Sequence, residues 1–322
     1  MEKILFFDGN NIAHKNYHTE KKNGGDDMSA IDYSISKTIL EFKYMYDKIK
    51  PDTTIISFDS GVTWREQYTL SSDAITEKVY KANRKKNKTK KEIEAKKYLN
   101  EKIDAVVEVL KKSKLFILQE SLIEADDFAG AICDMYGEEA DVEVILVSSD
   151  KDYLQLLKYD NVRIINPLKN GFERNLEEWN NDVDLMIFEK CIRGDGKDNV
   201  RSSYPRIRKN KLVEAFYDDV KRSNIMNHEF TETIFCNEQK EYVEKTFRTE
   251  DVFKENEMLL CLDKQPEHIK KKIKKAIIRE MGQDKELDLL KFIRFAGKNS
   301  LGNLTSRITE MEKFLKNESH SI

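Results

Sequence analysis

VEVILVSSDKD, residues 142–152, carries apolar Val, Ile and Leu on consecutive positions and then a polar break that ends on Asp150 and Asp152. A continuous apolar run of this length is what a parallel strand covered on both faces requires. Three more segments repeat the pattern: KILFFDGNN (3–11) ends at Asp8, TIISFDSG (54–61) at Asp59, and LFILQESLIEADD (115–127) at Glu124, Asp126 and Asp127. Open α/β sheets carry their ligands at the carboxyl ends of such strands. The expected fold is therefore α/β, a mostly parallel central sheet flanked by helices, with the acids converging on one site.

GDGKDN (194–199) adds Asp195 and Asp198, which brings the set to nine carboxylates. With 59 Asp and Glu among 322 residues, a single Asp is ordinarily a solvated surface group. The joint placement is what calls for explanation, because a carboxylate at a strand end gains nothing unless it is paired, caps a helix or binds a cation. Carboxylates crowded together raise one another's pKa, and divalent cations relieve that. A set of oxygen ligands without His or Cys favours hard Mg²⁺ or Mn²⁺ over zinc. If the helix EADDFAGAICDMY begins near Ala125, Glu124 and Asp127 share one face while Asp126 points elsewhere, so spacing leaves Asp126 open.

FFDGNN, SFDSG, IEADD, SSDKDYLQLL and GDGKDN, in that order, resemble the 5′-nuclease (flap endonuclease) superfamily, which includes the 5′-3′ exonuclease domain of bacterial DNA polymerases, and within it the phage ribonuclease H type. The likeness runs through YKANR (80–84), KYDNVRIINP (158–167) and FIRFAGKNSLGNLTSRI (292–308), nearly the whole chain. It implies that Asp8, Asp59, Glu124, Asp126 and Asp150 surround a first metal ion. It implies likewise that Asp152, Asp195 and Asp198 serve a second, with Asp127 in support. The implied cofactors are two Mg²⁺ ions, for which Mn²⁺ can substitute. The implied reaction is phosphodiester hydrolysis from the 5′ end of RNA-DNA or DNA duplexes and at 5′ flaps, as in RNA primer removal during phage-type DNA replication.

The net charge of -3 hides a polarised molecule, since the nine clustered acids outweigh it and leave the remainder positive. Ten Lys and Arg fall between Lys78 and Lys97, opposed only by Glu92 and Glu94. Such a run is often a solvated surface, but an acidic metal cluster needs a polyanion brought to it, and Lys or Arg contacts with phosphate do that without sequence preference. The insertion 64–114 is long for a plain crossover. Its middle, NRKKNKTKKE, is expected as a mobile excursion over the active site, and IDAVVEVLKKS as a helix packed on the sheet. The resemblance implies that the excursion is an arch or clamp. In it Lys81 and Arg84 would hold phosphates flanking the scissile bond, with Lys85, Lys86 and Lys88 as further contacts and Tyr80 stacking on a base.

Elsewhere, residues 18–28 read as a polar loop, followed by a helix capped by Ser29 with Asp32 and running to about Lys50. NVRIINPLKNGFERN (161–175) reads as a strand, an Asn170-Gly171 turn and a returning edge strand. VDLMIFEKCIR (183–193) reads as a helix leading into GDGKDN, where Gly194 and Gly196 permit a tight backbone. Many superfamily members continue into a glycine-containing helix-turn-helix hairpin. Here VRSSYPRIRKNKLVEAF (200–216) has Pro205 and no glycine, which leaves that hairpin and its potassium ion open, while Arg201, Arg206, Arg208, Lys209 and Lys211 offer phosphate contacts.

The domains expected are a catalytic domain over 1–223, with a DNA-binding helical segment at 194–222, and a smaller helical C-terminal domain over 224–322. KKKIKK (270–275) reads either as a solvated helix face or as a DNA contact. The resemblance implies that the tail meets a phage single-stranded-DNA-binding protein.

At 322 residues and 39% hydrophobic content the chain can bury a sizeable core. No stretch approaches a membrane span and no signal-peptide pattern opens the sequence. A monomer in the cytoplasm, the host's if phage-encoded, is expected, with no membrane partner. Cys133, Cys191, Cys236 and Cys261 have no paired spacing, so neither zinc nor a disulfide framework is suggested. Two rival readings are a PIN-type metal-dependent ribonuclease, against which the long insertion and extension count, and a non-catalytic DNA-binding scaffold, against which the intact acids count.

Overall fold

The computed structural model describes residues 1–24, 26–76, 78–85, 88–169, 171–173, 176–236 and 241–318. Their contacts divide into two compact units, Met1–Gly61 with Lys88–Arg174 and His268–Ile322, and Val62–Asn87 with Asn175–Glu267. The boundary expected at 223/224 is thus not where the contacts divide the chain.

The first unit is built on a six-stranded sheet of order β3-β2-β1-β4-β5-β6. The strands are β1 (Glu2–Asp8), β2 (Thr53–Ser57), β3 (Phe116–Leu118), β4 (Val142–Val147), β5 (Val162–Asn166) and β6 (Gly171–Glu173). The first five pair in parallel, and β6 returns antiparallel at the edge as its sequence led one to expect. Gly171 pairs with Asn166 as a strand residue, and Asn170 lies outside the described residues. The apolar runs are continuous because both faces are covered: Ile4 to Phe7 and Val144, Leu146 and Val147 are all buried. Register aligns the strand ends. Asp8 lies opposite Ser57, Ser57 opposite Leu118, and Phe7 opposite Val147, so the acids that follow emerge along one edge. Strand order reverses between β1 and β4, which makes their carboxyl ends a topological switch point.

Helices cover this sheet. Gly9–Lys22 is helical where a loop was expected from residue 18, capped by the Asp8 carboxylate, which accepts the Asn11 N–H. The next helix, Asp27–Ile49, starts two residues before the expected cap: Asp26 accepts the Met28 and Ser29 N–H groups, and the Ser29 hydroxyl donates to Asp26 instead of capping. The basic run does not stay irregular to its end. Helix Lys90–Leu110 opens at Thr89, in a capping box with Glu92, and buries Leu99, Ile103, Val106, Val107 and Leu110. Helices Leu289–Lys298 and Ile308–Leu315 place Phe292, Ala296, Met311 and Phe314 in the same core as Leu5, Phe7 and Ile56. The C-terminal segment from residue 268 therefore closes the core of the sheet.

The second unit has helices Val183–Arg193, Lys209–Tyr217, Asp219–Met226 and Thr249–Leu260 around Phe188, Ile192 and Leu212, and helix Trp64–Leu70, whose buried Arg65 donates through Nε to the Leu259 carbonyl. It also has an antiparallel hairpin, β7 (Glu229–Cys236) and β8 (Glu241–Arg248), where helices were expected. The reason is a period of two: Phe230 and Ile234, with Val243 and Phe247, gather on one face against Val252, and β-branched Thr231, Thr233 and Thr246 alternate with them. Cys191 and Cys261, far apart in sequence, bring their Sγ atoms to 3.7 Å as buried free thiols.

Candidate active site

At the switch point Asp8 ends β1 and is only 7% exposed. Its Oδ1 accepts the Asn11 N–H at 3.0 Å and its Oδ2 the Ser148 hydroxyl at 3.2 Å. Burial, followed by the charges of Asp59 and Asp150, pushes its carboxyl up to about 7 against those two hydrogen bonds. Asp59, two residues past β2, accepts the Ala125 N–H at 2.9 Å, and its own N–H donates to Asn10 Oδ1 at 3.1 Å. Asp150 follows β4, caps the 3₁₀ turn Lys151–Lys158 and accepts the Asp152 N–H at 3.0 Å. Asn11 Oδ1 accepts both the N–H and the hydroxyl of Ser149, which ties the β1 and β4 ends together.

Glu124 and Asp127 form a capping box at the head of helix Ala125–Tyr136, with the Glu124 N–H donating to Asp127 Oδ2 at 3.2 Å. Asp126 does not point away from them: a carboxylate oxygen of each of Glu124, Asp126 and Asp127 lies within 4.8 Å of the others. Helix entry explains this, since Glu124 is still extended and its side chain turns back over the first turn. Tyr153, which sequence reasoning did not single out, completes the site. Its ring is fully buried and its hydroxyl has no hydrogen-bond partner among the described residues. Burial first, then the charges of Asp8, Asp126, Asp150 and Asp59, push that phenol far above its ordinary value. Four carboxylates from four strand ends thus surround one buried hydroxyl. This donor set, all oxygen, fits a hard divalent cation.

Asp195 and Asp198 lie in the second unit. Asp195 and Val200 exchange backbone hydrogen bonds, and Asp195 Oδ1 accepts the Lys197 and Asp198 N–H groups, which folds GDGKDN into a tight turn. Gly194 takes φ +68, and a Cβ there would stand 2.4 Å from the Arg201 carbonyl oxygen, so only glycine fits. YKANR docks on this turn. Tyr80 Oη donates to Asp198 Oδ2 at 2.9 Å, the Arg84 guanidinium pairs with Oδ1, and Lys81 Nζ stands 3.9 Å from Oδ2. The Lys81 N–H donates to the Asp198 carbonyl and Asn83 Nδ2 to the Gly196 carbonyl. Burial alone would push the Asp198 carboxyl up, but the Lys81 and Arg84 charges and the Tyr80 hydroxyl outweigh it and hold the carboxyl below its usual value.

Two expected phosphate-side residues have other partners. Tyr80 is only 4% exposed, with its ring beside the Lys81 ammonium and the buried Arg65 guanidinium, so it anchors Asp198 and presents no face for a base. Arg201 is also 4% exposed, paired with Glu232 and packed on Phe247, so it serves the hairpin and no phosphate contact. Arg206, Arg208, Lys209 and Lys211 are exposed, Lys209 within 3.2 Å of Glu178. Lys88 is exposed, nothing is described of the Lys85 side chain, and Lys86 lies outside the described residues.

The profile of the 5′-3′ exonuclease N-terminal resolvase-like domain matches residues 3–185, more than half of the chain. The chain belongs to the 5′-3′ exonuclease family. A 5′-3′ exonuclease of Mycoplasmopsis pulmonis (strain UAB CTIP) is 27% identical over 239 residues, 70% of this chain and 73% of that protein. The ribonuclease H of Enterobacteria phage T4 is 27% identical over 167 residues, 51% of this chain and 52% of that protein. Among solved structures, the bacteriophage T5 flap endonuclease in a pseudo-enzyme-product complex with DNA and metal ions matches with a TM-score of 0.63 at 19% identity, covering 88% of this chain and all of that one. T5 5′-exonuclease with zinc ions bound matches with a TM-score of 0.57 at 20% identity, over 97% and 100% of the two chains. The family and the acidic cluster make this exonuclease-family protein a metal-dependent 5′-nuclease, a phosphodiester hydrolase.

Proposed function

We propose that the protein hydrolyses phosphodiester bonds from the 5′ end of RNA-DNA or DNA duplexes and at 5′ flaps, with two Mg²⁺ ions as cofactors and RNA primer removal as its task. It acts as a monomer, and its C-terminal segment meets a single-stranded-DNA-binding protein. The observation that carries the metal reading is the crowding of carboxylates, with oxygens of Glu124, Asp126 and Asp127 within 4.8 Å of one another and a buried Asp8 carboxyl pushed up by its burial and by the charges of Asp59 and Asp150, a crowding that bound cations relieve. Asp8, Asp59, Glu124, Asp126 and Asp150 would hold the first ion, with Asp127 positioning Glu124. Asp152 supplies a further carboxylate to the first unit, and Asp195 and Asp198 supply two to the second.

When bound, such ions lower the pKa of a water and offset charge on the leaving oxygen. The chain's own part is to orient the carboxylates: Asn11 and Ser148 fix Asp8, Asn10 and the Ala125 N–H fix Asp59, and the capping box fixes Glu124. Lys81 and Arg84 pair with Asp198, so a phosphate arriving there competes with that carboxylate for a partly buried Lys81 and an exposed Arg84 that YKANR holds in place. DNA complexes of the T5 relative support a nucleic-acid substrate. The test is incubation of a labelled 5′-flap duplex and a labelled RNA-DNA hybrid with protein plus Mg²⁺ or plus chelator. Shortened 5′ products from both, in Mg²⁺ alone, are expected; cleavage of single-stranded RNA only would support the PIN-type reading instead.

A further inference from the structure

Helix Glu267–Met281 has two different faces. Ile269, Ile273, Ala276 and Ile277 are buried in the first unit, while Lys271, Lys274 and Lys275 are exposed. Lysines on the surface of this protein commonly face an acid one turn away, as in Lys43–Asp47, Lys97–Glu101, Lys254–Glu250 and Lys316–Glu312. Lys274 and Lys275 have none. Three and four residues to either side of them stand only Lys270, Lys271, Lys272, Arg279 and apolar residues, and like charges at these spacings weaken a helix. Neither makes an ion pair among the described residues.

The same helix is fastened next to the acids. Arg279 donates to Glu120 Oε2 at 2.8 Å and Lys272 to the Ser121 hydroxyl at 2.8 Å, both just after β3 and a few residues before Glu124. The Glu120 carbonyl in turn accepts the Ser60 hydroxyl at 2.6 Å, beside Asp59. Next to Arg279, Glu280 Oε1 accepts the N–H of Ile117 in the edge strand β3 at 2.7 Å. The cationic face is thus a fixed surface tied to the two loops that carry Asp59 and Glu124, with its mutual repulsion left to an outside anion.

We propose that the exposed face formed by Lys271, Lys274 and Lys275 is a track for the phosphate backbone of the duplex part of the substrate, continuing from the carboxylate cluster. This rests on the nuclease reading above. A rigid helix with cations one turn apart suits a duplex backbone, which presents closely spaced phosphates and binds by counterion release.

The test is the triple variant Lys271→Gln, Lys274→Gln and Lys275→Gln, which keeps helix propensity and removes charge. Its binding to a fluorescent 5′-flap duplex is followed in chelator over a range of salt, beside a charge-matched control, Lys48→Gln, Lys298→Gln and Lys313→Gln. The slope of log affinity against log salt should become shallower by about 0.9 per contact, about 2.7 in all, in the triple variant and not in the control. In Mg²⁺ its KM should rise while kcat stays within about twofold, as for lost uniform binding. An unchanged slope in the triple variant, or an equal change in the control, overturns the track while leaving the nuclease reading intact. Absence of DNA binding and cleavage by the unsubstituted protein would overturn both.

Discussion

Asp8→Asn should make the metal-free protein more stable at alkaline pH. Burial and the charges of Asp59 and Asp150 raise the Asp8 carboxyl from 3.8 to about 7. A carboxyl raised on folding has its favourable contribution fully present below the unfolded value, and that contribution is lost as pH climbs through the folded value. Each pH unit between 3.8 and 7 is equivalent to about 1.4 kcal/mol, so ionising Asp8 in the folded, metal-free state costs up to about 4 kcal/mol above pH 7. Asparagine fills the same space, can still accept the Asn11 N–H and carries no charge. Urea unfolding of both proteins in chelator at pH 5, 6, 7 and 8 should show a stability gap in favour of the variant that widens with pH and levels off above 7. A gap of the same size at pH 5 and pH 8 would refute the claim that crowding of charge strains this site.

Because ligand carboxylates must be ionised, Mg²⁺ binding at pH 6 should release close to one proton and at pH 8.5 almost none, as read by calorimetry in two buffers of different ionisation enthalpy. Arg84→Ala and Lys81→Ala should each lower turnover by roughly tenfold or more, with affinity for flap DNA changed much less, which is the outcome expected of the proposed role of both cations on charge that grows in the transition state. Loss of affinity alone would remove them from the catalytic assignment. Tyr80→Phe deletes a buried hydrogen bond to Asp198 and should cost about 0.5–1.5 kcal/mol of stability without altering DNA affinity. Weaker DNA binding at unchanged stability would instead favour base stacking.

The strand ends were legible because a strand buried on both faces must spell a continuous apolar run, and Asp8, Asp59, Glu124 and Asp150 each follow such a run. Helix Gly9–Lys22 was harder to see, since GNNIAHKNYHTEKK is mostly polar and buries only a narrow stripe led by Ile12, Ala13 and Tyr17. Hairpin β7–β8 was missed because charged residues interrupt a period of two that only Phe230, Ile234, Val243 and Phe247 reveal. Roles set by distant partners leave no local trace. Tyr80 meets Asp198 118 residues away, Arg201 meets Glu232 31 residues away, and Tyr153 reads as one more apolar residue of DYLQLL until the folded chain sets it among four acids.

Metal-dependent hydrolysis is proposed to rest on the carboxylates gathered at the β1–β4 switch point. The most direct measurement is the single-turnover rate of Asp150→Asn on a labelled 5′-flap duplex in Mg²⁺, with binding of the same DNA measured in parallel. Asp150 adds charge against Asp8 and caps its own turn, and an Asn there keeps the cap. Cleavage should fall more than about a hundredfold, equivalent to about 2.7 kcal/mol of barrier, with DNA binding intact or tighter because negative charge facing the phosphates has been removed. Mg²⁺-dependent cleavage above about a hundredth of the unsubstituted rate would contradict it.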